Sequence, residues 1–192
     1  MDTATRTLIE RLKRRAHDPR QATDMADIIS SVALPPASRE LLDTGEQKLR
    51  LPLPSLLRDV YANVGNGEFG PGYGLLPVDD AVDETIVERT LTLQLPDPDD
   101  PFWRWPHGLL VVCHWGCNIC SCLDCTNPAA PVIRFDPNGH GYGKPWDDAF
   151  LTEASSFQGW LEDWLSGRPV GERLVLSSSS VWHATDGGHE SE

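Results

Sequence analysis

The sequence predicts an α+β fold, a single domain with a central, mainly antiparallel sheet flanked by helices. Three observations carry this. Apolar stripes of helical period gather near the two ends of the chain, and strand-like runs gather between them. Strand and helix do not alternate along the sequence, which argues against a βαβ plan. The length, 192 residues, suits one hydrophobic core.

The elements follow in order. Leu8, Leu12 and Ala16 recur at intervals of four within 3–16, an amphipathic helix broken by Asp18-Pro19. Met25, Ile28, Ile29 and Val32 form a second helical stripe, closed by Pro35-Pro36, and a short helix is expected over 37–43 around Leu41 and Leu42. Pro54 suits a first helical position, and Leu56, Leu57, Val60, Tyr61 and Val64 build one face before Gly65. GNGEFGPGYG at 65–74 carries five glycines, so it reads as a shaped turn leading into a strand around Tyr73–Val78. Residues 79–94 read as helical through Val82, Ile86 and Leu91. DPDDP at 97–101 is a loop. LLVVCHW from Leu109, the cysteine-rich stretch after it and PVIRFD ending at Asp136 predict three antiparallel strands, with turns at Gly116-Cys117-Asn118 and Asn127-Pro128. PNGHGYGKP at 137–145 is a loop. Ser155 and Gln158 have capping-box spacing ahead of Phe157, Leu161, Trp164 and Leu165, and Gly167 with Pro169 ends that helix. The division expected is a helical extension at 1–34 packed on the domain, the domain at 35–176, and a flexible polar tail at 177–192.

Composition narrows the function classes. Sixteen Lys and Arg against 29 Asp and Glu give a formal charge of −13, which disfavours binding to a phosphate backbone. No apolar run approaches the ~20 residues of a bilayer span, and the N-terminus has no apolar secretory core, so a cytoplasmic protein without membrane contact is expected. Five cysteines then read as reduced thiols. They fall together in CHWGCNICSCLDC, as Cys113, Cys117, Cys120, Cys122 and Cys125. Two C-x-x-C pairs invite a zinc reading through Cys117, Cys120, Cys122 and Cys125. Only Ser121 separates the pairs, however, and a strand would send Cys120 and Cys122 to one face and Cys117 and Cys125 to the other. Packed thiols with no metal are the expectation, and zinc is the alternative.

Other motifs fall short of chemistry. The glycine turn has no Lys and no Ser or Thr to close a phosphate loop, and in GHGYGKP Pro145 stands where the hydroxyl belongs, so no nucleotide cofactor is expected. His114 precedes Cys117 by three residues, but an activated thiol needs a third, orienting group. No catalytic residue and no cofactor are therefore assigned. The acids at 79–84 and 97–100 lack the spacing of a calcium loop and read as a solvated negative rim. Trp103 and Trp105 flank Arg104 beside that rim, a placement shared by interface anchors and by loops tucked over a core. Asp79, Asp80, Asp83, Glu84, Asp97, Asp99, Asp100, Trp103 and Trp105 are the expected partner contacts.

LPLPSLLRDVYANVGNGEFGPGYGLLPV at 51–78 resembles the hallmark of the SUKH superfamily, which takes in the Smi/Knr cell-wall regulators and many bacterial immunity proteins. Pro54, Leu57, Tyr61, Asn66, Gly67, Phe69 and Gly70 occupy the places of its Pro-led helix and N-G-x-F-G turn. Gly72 and Tyr73 continue the turn into the following segment. WPHGLLVVCHWGCNICSCLDC, PVIRFDP and SSFQGWLEDWL extend the likeness to roughly residues 35–167. Glu68 departs from the second glycine common at that place. The resemblance implies a structural role for Asn66, Gly67, Phe69, Gly70, Gly72 and Tyr73, no catalysis, and a protein partner. Among the bacterial members that partner is a cognate toxin of nuclease or deaminase type, occluded at its active site. An acidic surface would complement such a basic toxin domain. The alternative is an intracellular regulatory scaffold of the Smi/Knr kind, without a toxin.

Overall fold

Four of the five described α-helices start where a side chain takes up a free backbone N–H. In the computed structural model, which describes residues 1–28, 31–79, 84–141, 143–168, 170 and 175–176, Asp2 caps α1 (Thr3–Ala16) by accepting from Thr5 N–H at 2.8 Å. Ser38 caps α2 (Arg39–Leu49), Thr85 caps α4 (Ile86–Leu93) and Ser156 caps α5 (Phe157–Leu165) in the same way. The last cap lies one residue beyond the Ser155 that the sequence suggested. In α3 (Ser55–Asn63), Pro54 sits just outside as a cap residue without a side-chain bond.

The sheet is a five-stranded antiparallel meander in the order β1 (Leu109–Gly116), β2 (Ile119–Asp124), β3 (Val132–Phe135), β4 (Phe150–Ala154) and β5 (Val175–Leu176). The first three strands are those expected from the sequence. The fourth and fifth lie in stretches to which the sequence assigns no element. Leu109, Leu110, Val111, Val112, Leu123, Val132 and Ile133 are buried with apolar residues of all five helices.

As the first strand of the meander, β1 has one side without a strand partner, and an uncovered edge invites pairing with other chains. The 70–78 segment and α4 cover it. Leu76 N–H donates to Val112 O at 2.9 Å and Tyr73 N–H to His114 O at 3.2 Å, while Val111 N–H donates to Thr90 Oγ1 at 3.1 Å. This corrects the strand expected at Tyr73–Val78. It makes one ladder bridge, Leu75 with Cys113, because Gly72 and Gly74 take positive φ and Pro77 has no N–H to donate.

Two helical expectations also change. The stripe at 25–32 forms turns over 25–28 and irregular backbone at 31–32 instead, with Ile28 75% exposed, and Ile29 and Ser30 lie outside the described residues. The flanking backbone pairs with the glycine turn: Gly70 N–H donates to Ala22 O at 2.7 Å, Asp24 N–H to Gly72 O at 3.2 Å, and Leu34 N–H to Gly67 O at 3.2 Å. Burial raises the pKa of Asp24, whose carboxylate accepts from Gly72 N–H at 2.9 Å. The 79–94 helix begins only at Ile86, and Val82 lies outside the described residues. By contrast α2 outruns its expected 37–43. Its Gly45 faces α4 and Val78 so closely that a Cβ there would lie 2.8 Å from the Val78 side chain. The residues ahead of α2 are part of the core as well, since Leu8, Ile9, Leu12 and Ala16 of α1 are buried with α3 and α5.

The turn that resembles the family hallmark is held from inside. Tyr61 OH donates to Leu76 O at 2.6 Å, Asn66 Oδ1 accepts from Val78 N–H at 3.0 Å, and Phe69 is fully buried. Glu68 takes φ 66°, the left-handed conformation that glycine would adopt without strain, and its carboxylate accepts from Ser31 Oγ at 3.0 Å. Glu68→Gly should therefore change stability by no more than about 1 kcal/mol, relief of strain offsetting the lost contact. Chemical denaturation checks this, and a loss above roughly 2 kcal/mol would mean the glutamate side chain anchors the turn.

Candidate functional site

The acids expected to meet a partner fall into two groups, one at each end of α4. Eight residues of helix separate them by roughly 12 Å along its axis. At the N-terminal end, Asp79 is mostly covered and paired with Lys48 of α2, and Glu84 pairs with Arg89 at 3.4 Å. Asp80 and Asp83 lie outside the described residues. Those local pairings neutralise Asp79 and Glu84.

The second group has a different setting. The chain leaves α4 at Gln94 and turns back on itself, so that the Trp103 indole N–H donates to Leu95 O at 2.9 Å and Leu93 O at 3.2 Å. Asp97 and Asp100 shape the loop between, accepting from the backbone N–H groups of Asp99 and Phe102 at 2.9 Å each. Asp97 and Asp99 are exposed. Close to them in the chain are three apolar side chains in solvent: Leu95 is 62%, Phe102 42% and Leu91 37% exposed. An apolar centre with an acidic rim is the usual anatomy of a protein-binding patch.

The two tryptophans beside Arg104 part ways. Trp105 is buried and donates to Leu109 O at 2.8 Å, so it packs on the core and is not an exposed anchor. Trp103 is half-buried, standing edge to face against Trp146 at 5.0 Å and Phe135 at 5.9 Å. Trp146 was not singled out by the sequence, because it sits in a Gly- and Pro-rich loop whose position was not legible. Its indole N–H donates to Asp100 at 2.8 Å, which makes Asp100 a strap between two loops and not a free contact. Behind Trp146 stacks His140 at 3.8 Å, its Nδ1 2.7 Å from Asp148. Lys144 and then His140 hold the Asp148 carboxyl below the usual carboxylate range. Leu91, Leu95 and Phe102 were likewise missed, since single apolar residues in a helix or loop give no sign of which way they face.

The cysteines are not gathered for a metal. Cys117 is exposed at the tip of the β1–β2 hairpin and Cys125 follows the far end of β2, a strand that spans roughly 20 Å. Cys113, Cys120 and Cys122 are buried within the sheet. Among the described residues no group of three or more His, Cys, Asp or Glu side chains could hold an ion. Burial pushes the thiols of Cys113 and Cys122 well up and that of Cys125 to about 12, so these three stay protonated. Cys120 moves the other way, favoured by its hydrogen bond with Cys122. His114 stacks on Tyr73 at 4.9 Å, and burial lowers its pKa.

The described helices include none long and apolar enough to cross a membrane. A family model described as the SMI1 / KNR4 family (SUKH-1) matches residues 36–163, about two thirds of the chain. That span runs from just before α2 to within α5 and includes the glycine turn, the acidic loop and β1 to β4. No curated protein matches the sequence.

Proposed function

The chain belongs to the SMI1 / KNR4 family (SUKH-1), and from that premise we propose that it acts by binding another protein. The proposed partner is a basic toxin domain of nuclease or deaminase type, neutralised by occlusion of its active site in the cytoplasm. The observation that carries this reading is the patch at the C-terminal end of α4. Leu91, Leu95 and Phe102 offer apolar area, Trp103 holds the loop in place, and Asp97 and Asp99 supply the charge. Ordering such a loop before binding lowers the entropy lost in the complex. With a formal charge of −13 the whole chain favours a basic partner, since a complementary field speeds encounter and disfavours other partners.

Co-expression tests this directly. The protein should rescue cells from a basic toxin encoded beside it. Failure to rescue, together with failure to bind the purified toxin domain, would reject the immunity reading. Binding to a basic protein with no toxic activity would favour a regulatory scaffold of the Smi/Knr kind. The charge contribution has its own test. Asp99→Lys with Asp147→Lys, both at exposed positions, should slow association with the basic partner about tenfold at low salt and leave the melting temperature unchanged. An association rate that ignores both the substitutions and the salt would remove electrostatics from the mechanism.

A further inference from the structure

A cavity of about 270 Å³ opens where the loop bearing Phe102 meets the loop bearing Trp146. Phe102, Trp105, Trp146 and Phe150 line it together with prolines from both loops, and the polar lining is the exposed Arg104, His107 and Asp147. The volume lies below the ~300–1,000 Å³ of small-molecule pockets and is of the size of one large side chain.

We propose that this cavity seats a single aromatic side chain of the partner protein, flanked in the partner's sequence by a basic residue. This rests on the protein-binding reading above and names the anchor that the surface would take. Four aromatic rings with apolar neighbours favour a ring over a flexible charged chain. The surrounding rings already meet edge to face, as Trp105 does with Phe150 at 5.7 Å and 66° and with Phe135 at 5.3 Å and 79°. An entering ring would extend that array, because the positive edge of one ring is attracted to the negative face of the next. The walls are set in advance. Asp100 holds the indole N–H of Trp146, His140 stacks on that indole, and Trp103 stands edge to face with it. Interface anchors of this aromatic kind carry a disproportionate share of binding energy. The flanking basic residue follows from charge. The exposed carboxylate of Asp147 lines the cavity with the Arg104 guanidinium and the His107 imidazole. The exposed Asp97 and Asp99 precede Phe102 by five and three residues in its own loop, so acids outnumber the one guanidinium there.

The full chain can be titrated with N-acetyl-tryptophanamide, N-acetyl-leucinamide and N-acetyl-argininamide, following the tryptophan indole N–H signals by NMR. The aromatic probe should give saturable shifts at Trp105 and Trp146, at least fivefold tighter than either other probe, and leave Trp160 unmoved. Phe102→Ala, at an exposed position, should weaken it at least fivefold, and Ile28→Ala, at a distant exposed apolar position, should not. Asp100→Ala should weaken it through Trp146, and Asp100→Asn, which keeps an acceptor, should restore most of it. Absence of saturable shifts, equal or tighter binding of the arginine probe, or indifference to Phe102→Ala would each overturn the inference. Rescue from the toxin with no probe binding would sink this inference alone, since co-expression reads the protein–protein contact independently of what fills the cavity.

Discussion

Glu153→Ala should cost about 3–5 kcal/mol of stability, equivalent to a fall in melting temperature on the order of 10 °C. The Glu153 side chain is fully buried, and four neighbours meet around it. Ser121 Oγ donates to it at 2.6 Å, Trp160 Nε1 at 2.9 Å, and Arg134 at 2.8 Å from one guanidinium nitrogen and 3.3 Å from another. Trp115 completes the group, donating to Ser121 at 2.8 Å while the Arg134 guanidinium lies over its ring at 4.4 Å. Removing the carboxylate leaves Arg134 a mostly buried cation without its partner, and that uncompensated charge is the larger part of the loss. Glu153→Gln keeps the acceptor and should cost less. Glu153→Ala combined with Arg134→Met should recover a good part of the loss, since it removes both charges. Urea denaturation of the full chain measures all three, and a Glu153→Ala loss under 1 kcal/mol would show that water replaces the carboxylate. The consequence reaches the surface, because the network fastens β4 to β2, β3 and α5. β4 begins with Phe150, which lines the aromatic cavity.

The same glutamate explains why part of the sheet was hidden in the sequence. A strand signal comes from branched and aromatic residues, as in LLVV and PVIRF, and β1 and β3 were visible for that reason. In FLTEA the polar residues follow each other directly, and a glutamate is ordinarily read as facing solvent. Its partner, Arg134, lies 19 residues away, so nothing local announces that the charge is satisfied. The surface follows the same logic. The acidic character of 97–100 was plain, but the separation of free contacts from structural ones was not. Asp79 is tied to Lys48 and Asp100 to Trp146, across 31 and 46 residues. Local rules fared better at the hallmark turn, where a Pro-led helix and closely spaced glycines fix the backbone within a few residues. They failed at 25–32, where turns replace the helix over 25–28 and the backbone on either side of the stripe, at Ala22, Asp24 and Leu34, pairs with that turn.

Gly67→Ala should cost at least as much, on the order of 4 kcal/mol or above, enough to leave much of the chain unfolded. Gly67 has φ +88°, where an L side chain is strained, and the added Cβ would lie 2.7 Å from Leu75 O, 2.7 Å from Pro77 N and 2.8 Å from the Leu76 carbonyl carbon. All three are backbone atoms, so no rotamer change relieves them. Nor can the 75–77 segment retreat freely. Leu75 O accepts from Glu68 N–H at 2.8 Å, Leu76 is held by Tyr61 OH at its carbonyl and by Val112 at its N–H, and Pro77 O accepts from Ile86 N–H at 2.8 Å. Moving it would uncover the edge of β1 and loosen the start of α4, whose far end presents Leu91 and Leu95. Gly139→Ala is the matching control, since its Cβ would meet nothing within 4 Å and its φ is not in the left-handed range. Comparing soluble yield and denaturation midpoints of the two variants decides the point. A Gly67→Ala protein as stable as Gly139→Ala would mean that the turn yields to a side chain, and that it does not rigidly set the edge of β1 and the start of α4.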